Sequence, residues 1–400
     1  MRLSRHSQPA RVHLALQGAR ARLMARDRSI VGMQVAISEI AAPTGEEQQR
    51  GAWIASRFAA LGLRHVHTDR AGNVIGRRDG LSEDAPVVVC AHLDTVFPRD
   101  TALRVRHDGG RLIGPGIGDN GRGLAAMLAL AEEIDGVHLC TRRAVEFVAT
   151  TGEEGSGDLR GAKHFFRNGS QAPAAVIALD GAGDERVVHR ALGSRRYHVA
   201  FHGPGGHSWA AYGVAHPVHA LGNCVAQLTR LILPAEPRTT LSVGRVGGGI
   251  SVNAIPGEAW LDIDLRSTSP SVLRTLDAQI RRIIATSTDE ENGRRLTGTS
   301  ALSSTVNLIG ERPCGETPAD HPLVQSAIEA TRLVGREPDL ATASTDANVP
   351  ISLGIPAIAI GAGGRGGDAH TPGEWFDNTD GALGIARALT IVAGAAELEA

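Results

Sequence analysis

The sequence predicts an α/β protein, an open sheet with helices on both faces, into which a smaller β-α-β-β-α-β domain is inserted. Three observations carry this. Short, wholly apolar runs alternate with helical stretches, as in a sheet covered on both faces. After about residue 190 the runs alternate apolar with polar, as in strands with one open face. From Pro322 the apolar runs return.

Residues 10–40, rich in Ala, Leu, Arg and Met, read as helix. Pro43-Thr44-Gly45-Glu46-Glu47 is a stop followed by a fresh helix start, running through Trp53 to Leu61. Residues 74–76 form a short strand. Residues 86–92 are a compact apolar run, typical of a strand buried on both faces. A helix over 124–134 separates it from a second such strand at 144–149, and a third spans 174–179. In the next segment, 196–202, 240–246 and 259–266 are half-exposed strands, 218–233 and 271–285 are helices, and 297–306 is a further strand. A helix at 322–334, a buried strand at 357–360 and a final helix at 383–398 complete the chain. The expected division is therefore residues 1–190 with 307–400, interrupted by 191–306.

Bulk properties narrow the function classes. A chain of 400 residues is long for one core, so two domains are the prior. Net charge is −2 with acids and bases intermixed, which argues against a nucleic-acid partner because that needs a basic face. Cys90, Cys140, Cys224 and Cys314 lie far apart without a C-x-x-C pair, so no disulfide framework is expected. His13, Gln17 and Arg20 interrupt any N-terminal apolar core, and no run approaches a membrane span. The expectation is a soluble cytoplasmic protein without a membrane partner.

Polar residues of one chemical type stand where the apolar runs end. Ala91-His92-Leu93-Asp94-Thr95 closes the first run, Gly118-Asp119-Asn120 sits in a glycine-rich bend, and Gly152-Glu153-Glu154-Gly155 follows the second. Asp180 closes the third, and His370 lies in Ala369-His370-Thr371-Pro372-Gly373-Glu374. Charged side chains at the buried end of a sheet are expensive unless paired or bound to metal. Imidazole with carboxylates suits a hard or borderline divalent cation, and strand ends are where open α/β sheets bind ligands. His92 and Asp94 are two apart, so they point the same way, and Asp94 is placed to orient His92. Glu153 and Glu154 repel each other unless a cation intervenes. Pointing apart, one ligates metal while the other faces substrate.

Each residue also has an ordinary reading. His92 and Asp94 suit a solvated strand end, Asp119 a helix cap, Glu153-Glu154 an acidic turn, and His370 a solvated loop. Ser344-Thr345-Asp346 suits a cap as well. Gly116-x-Gly118-x-x-Gly121 matches a dinucleotide fingerprint formally, but Asp119 would set negative charge where pyrophosphate lies. Gly361–Gly367 is no phosphate loop, since no Gly-Lys-Ser/Thr follows it. The ordered set favours the metal reading.

That set resembles the M20 metallopeptidases, which include carboxypeptidase G2-like, peptidase T-like and dipeptidase enzymes and the acetylornithine and succinyl-diaminopimelate deacylases. Besides the motifs above, the resemblance covers Gly203-Pro-Gly-Gly206-His207-Ser208, Asn253-Ala-Ile-Pro256 and Asp264-Leu-Arg266. It implies a zinc-peptidase-like α/β/α catalytic domain with an inserted ferredoxin-like lid that dimerises. It implies two divalent ions, zinc by default with cobalt or manganese compatible, bridged by Asp119. His92 and Asp180 would hold one, and Glu154 and His370 the other. Glu153 would be the general base and Asp94 the partner of His92. His207, reaching the neighbouring subunit's site, Asn253 and Arg266 would contact substrate, with Arg266 gripping a carboxylate. The expected reaction is amide hydrolysis in short peptides. An N-acyl-amino-acid deacylase is the alternative within the same chemistry. A non-catalytic binding protein would require a missing ligand or base, and none is missing.

Overall fold

The computed structural model describes residues 8–135, 139–169 and 171–399. It divides into two compact units: the described residues through Ala191 with those from Glu316 onward, and Leu192–Gly315.

The first unit is built on a nine-stranded mixed sheet. Its order is Arg64–Thr68, Val74–Arg78, Val145–Thr150, Val87–His92, Ala175–Leu179, Ala357–Ile360, Arg186–Ala191 and Gly315–Glu316, with Asp339–Ala343 also pairing with Arg186–Ala191. The four strands from Val145–Thr150 to Ala357–Ile360 are parallel, with Val87 opposite both Val145 and Ala175. Three of them are buried along their whole length. Their residues alternate between two cores. Val87, Val89 and Ile177 meet the buried helices Gly121–Glu133 and Gly381–Ala395 through Leu124, Leu128, Leu389 and Val392. Val88, Cys90 and Val176 pack on the opposite face with Val148, Val188 and Ile351. A run apolar at every position is what two covered faces demand.

The expected helix over 10–40 is three helices, Gln8–Ala15, Gln17–Ala25 and Asp27–Ser38. The break at Arg26 has no Pro or Gly to announce it. It coincides with long-range pairing, since Arg22 and Arg26 both reach the buried Glu133. A small antiparallel sheet of Arg106–Asp108, Arg111–Ile113, Trp375–Asp377 and Arg365–Gly367 was not expected; its strands are three residues each, too short to show a period.

The second unit is a four-stranded antiparallel sheet ordered Thr240–Gly248, Glu258–Ser267, Gly193–His202, Ser303–Arg312, with helices Pro217–Leu228 and Pro270–Arg294. This is the ferredoxin-like order, as expected. Tyr197, Val199, Phe201, Leu261, Ile263 and Leu265 form its core with the helices. Arg196, Asp262, Asp264 and Arg266 alternate with them on the open face. The last strand starts at Ser303 rather than 297, because Arg295–Thr299 closes a turn in which Thr299 N–H donates to the Leu296 carbonyl. The unit accordingly continues to Gly315, past the expected 306.

Candidate metal centre

The site grows from the carboxyl ends of the parallel strands. His92 is the last residue of its strand, and Asp180 directly follows Leu179. Glu153 and Glu154 lie just beyond Thr150. Asp119 sits in the turn that leads into the helix Gly121–Glu133, and its peptide bond to Asn120 is cis. The helix cap is Asn120, not Asp119: Asn120 Oδ1 accepts from Gly123 N–H at 3.1 Å and from Gly181 N–H at 3.1 Å. Asn120 Nδ2 donates to the Leu179 carbonyl at 2.9 Å, tying this helix start to the neighbouring strand end. A side chain at Gly123 would collide with Asn120 Oδ1 and the Leu179 carbonyl, so only glycine permits that approach. Asp119 is thereby released from capping.

Two groups of donor atoms converge on it, each lying within 4.8 Å of one another: His92, Asp119 and Asp180 in one, Asp119, Glu154 and His370 in the other. His92 Nε2 is 2.9 Å from Asp119 Oδ1, and His370 Nε2 is 3.1 Å from Asp119 Oδ2. His370 Nε2 is also 2.8 Å from Glu154 Oε1. Glu153 groups with His92 and Glu154.

Asp94 is buried beneath this cluster. His92 Nδ1 lies 3.0 Å from the Asp94 main-chain carbonyl and 3.6 Å from its carboxylate, so the carbonyl is the nearer orienting group. The Asp94 carboxylate has another task. Oδ1 accepts from Glu153 N–H and Oδ2 from Glu154 N–H, each at 2.9 Å, while Thr44 Oγ1 donates to Oδ2 at 2.9 Å. The paired glutamates are thus held by their main chain, which leaves their side chains to the site.

Glu374 was missed by sequence reasoning. It is 1% exposed, and its carboxylate accepts three main-chain N–H groups: Gly116 at 2.9 Å, Gly118 at 2.7 Å and Asp119 at 2.8 Å. The formally dinucleotide-like loop does bind an anion, and that anion is the protein's own. Only its position four residues after His370 hinted at this.

Charge is poorly balanced within the cluster. Burial, and then the nearby Asp119 charge, push the Asp180 carboxyl up to about 7. Burial also raises Glu154. His370 is lifted to about 9, first by its hydrogen bond with Asp119. For His92 burial opposes protonation, but Asp119 and Asp94 outweigh it and hold the imidazole well above its ordinary value. Carboxylates that cling to protons beside imidazoles that refuse to lose theirs form a donor set short of positive charge. Divalent cations fit that deficit.

The remaining expected residues belong to the second unit. His207 and Asn253 are brought together by a two-stranded ribbon, Gly206–His207 with Ala254–Ile255, and Ser208 N–H donates to the Asn253 carbonyl at 2.9 Å. Both are exposed. Arg266 stands on the open sheet face with its Nε donating to Asp264 Oδ2 at 2.7 Å. Asp346, half of the expected cap, accepts instead from Thr150 Oγ1 at 2.5 Å, while Thr345 Oγ1 accepts from Ala347 N–H at 3.2 Å.

Carboxylates and histidines gathered beyond the strand ends of an open α/β sheet form a donor set that could hold divalent cations. A family model described as Peptidase family M20/M25/M40 matches residues 88–393, and the chain belongs to that family. It is 26% identical over 258 residues to a succinyl-diaminopimelate desuccinylase of Leptothrix cholodnii, covering 58% of this chain and 67% of that one. It is 26% identical over 402 residues to an N-carbamoyl-L-amino acid amidohydrolase of Geobacillus stearothermophilus, covering 85% and 89%. The crystal structure of aminopeptidase PepT from Bacillus cereus is similar in fold, with a TM-score of 0.75 at 21% identity, covering 92% of this chain and 98% of that one.

Proposed function

We propose that this protein hydrolyses amide bonds of short peptides with two divalent cations, zinc by default. The observation that carries the reading is the position of Asp119, whose two carboxylate oxygens face two different histidines. One carboxylate so placed suits a bridge between two ions. His92 and Asp180 would complete one sphere, Glu154 and His370 the other.

When bound, the cations supply Lewis-acid activation of water and stabilise charge developing on the attacked carbonyl oxygen. Glu153 takes a proton from the attacking water on its carboxylate as the C–O bond forms. It returns that proton to the leaving nitrogen as the C–N bond breaks. Asp94 fixes the main chain of Glu153 and Glu154, so base and ligand stay in register. Arg266 is assigned to a substrate carboxylate, with Asp264 holding its Nε. His207 and Asn253 are assigned to substrate contact, His207 from a second copy of the chain. The exposed Trp209, Ile250 and Val252 near them in sequence support a surface that a second copy covers.

N-acyl or N-carbamoyl amino acids are the second substrate reading, favoured by the relative matched over 85% of this chain. Metal analysis with a panel of dipeptides, tripeptides, N-acetyl, N-succinyl and N-carbamoyl amino acids, with and without chelator, tests both. Two ions per chain and chelator-sensitive hydrolysis are expected. Full activity after metal removal would overturn the proposal. Light scattering on the purified protein reads the dimer.

A further inference from the structure

The run Gly361-Ala-Gly-Gly-Arg365-Gly-Gly367 has no part in the mechanism above. It begins immediately beyond the strand Ala357–Ile360. Beside it, Gly181-Ala-Gly183 begins just beyond Ala175–Leu179, and the two loops pair. Ala362 N–H donates to the Gly181 carbonyl at 2.9 Å, and Gly363 N–H to the Gly183 carbonyl at 2.8 Å. They line one wall of a cavity of about 530 Å³ that also contains Asp119 and Asp180, so the cavity opens onto the candidate metal centre.

The glycines are required here by close approach. A Cβ at Gly367 would lie 2.7 Å from the Trp375 indole, and one at Gly364 would lie 2.6 Å from the Phe376 ring. Cβ atoms at Gly181 and Gly183 would meet nothing within 4 Å, which leaves that wall open. In a run of otherwise glycine and alanine, Arg365 is the single long side chain. The segment is pinned by pairing of Arg365–Gly367 with Trp375–Asp377. Arg336, in the same wall, is committed to Asp184 at 3.1 Å and Asp380 at 2.9 Å. Arg365 is exposed and makes no ion pair within 4.0 Å among the described residues; Asp377, its cross-strand neighbour, feels its charge without pairing.

We propose that Arg365 is a carboxylate receptor of the catalytic unit, binding an anionic group of the substrate beside the scissile amide. This rests on the amide-hydrolase reading above. A guanidinium on a backbone pinned by strand pairing, lining the cavity that Asp119 and Asp180 also line, is placed for bidentate capture of a carboxylate. The glycines around it keep space for the substrate.

The test uses metal-loaded wild type, R365Q and R365K with the best substrate of the panel, as free acid and as carboxamide. A matched pair of N-succinyl and N-acetyl amino-acid amides distinguishes a carboxylate on the acyl side from one on the amine side. R365Q should raise KM about tenfold or more for the acid that Arg365 binds. It should leave kcat within about twofold, leave the uncharged partner unchanged and keep the metal content of wild type. R365K should recover part of the loss. Calorimetric titration with N-acetyl-L-leucine, N-succinyl-L-leucinamide and N-acetyl-L-leucinamide reads the same subsite without turnover. Failure of the hydrolase reading would appear as an inactive wild type, while this titration still reports on Arg365. Equal effects on acids and amides, or none on either, would overturn the receptor. So would discrimination lost in R266Q but kept in R365Q.

Discussion

Glu374 Oε1 accepts the main-chain N–H of Asp119 at 2.8 Å, so a buried carboxylate fixes the backbone of the residue whose own carboxylate lies at the centre of the site. Burial lifts Glu374 to about 7, and the three N–H donors work against that rise.

Glu374→Ala leaves the N–H groups of Gly116, Gly118 and Asp119 without their acceptor. Each buried donor left unpaired costs about 1–3 kcal/mol. A melting temperature lower by several degrees and weaker metal retention are expected, with Glu374→Gln intermediate. Calorimetry and metal analysis check this. A variant that melts and binds metal like wild type would remove Glu374 from the support of Asp119.

Asp94→Ala removes the acceptor for the Glu153 and Glu154 main-chain N–H groups. Groups that orient metal ligands typically contribute 10–100-fold in affinity or activity. A drop of about that size in kcat or in zinc affinity is expected, read by steady-state kinetics and competition with a chromophoric chelator.

Glu153→Ala should keep both ions and lose turnover by roughly 10²–10⁴-fold, the range for a positioned proton-transfer group. Near-wild-type turnover with metal bound would assign the base elsewhere. His92→Ala differs in kind: it should lose metal, which elemental analysis shows directly.

Stripping the metal should reverse the pH response of stability. In the metal-free protein the folded-state Asp180 pKa is raised to about 7, above its ordinary value near 4. The folded state therefore holds a proton that the unfolded chain releases. This stabilisation is full below about pH 4 and is lost as pH rises through about 7. Metal binding displaces that proton, so the gain in melting temperature on adding zinc should be larger at pH 7.5 than at pH 5. A gain independent of pH would contradict the displacement of protons from this cluster by metal.

The central strands were legible because burial on both faces writes an unbroken apolar run, as in Val87–His92 and Ala357–Ile360. The second unit was legible because one covered face writes alternation, as in Glu258–Ser267. The break at Arg26 and the strand Asp339–Ala343 left no local trace, because their partners, Glu133 and Arg186–Ala191, lie far along the chain. Arg64–Thr68 pairs with the nearby Val74–Arg78 but is too polar and exposed to read as a strand. The same distinction runs through the site. His92, Glu153, Glu154 and Asp180 drew notice as charge at or just past the ends of apolar runs, Asp119 as a carboxylate in a glycine-rich bend and His370 as a loop histidine completing the ordered set. Glu374 was not, since a carboxylate 255 positions from Asp119 declares its purpose only once both are folded.

The candidate ligands stand at the ends of several separate parallel strands and in the loops beyond them, with His370 separated by 251 positions from the Asp119 it faces. Parallel neighbours pair only after long stretches of chain have closed. No fragment holding one or two of these strands possesses the site. Cation uptake should therefore come late in folding and report that the whole sheet has assembled. A truncated or misregistered chain would be marked by its inability to hold the ions, before any substrate is tried.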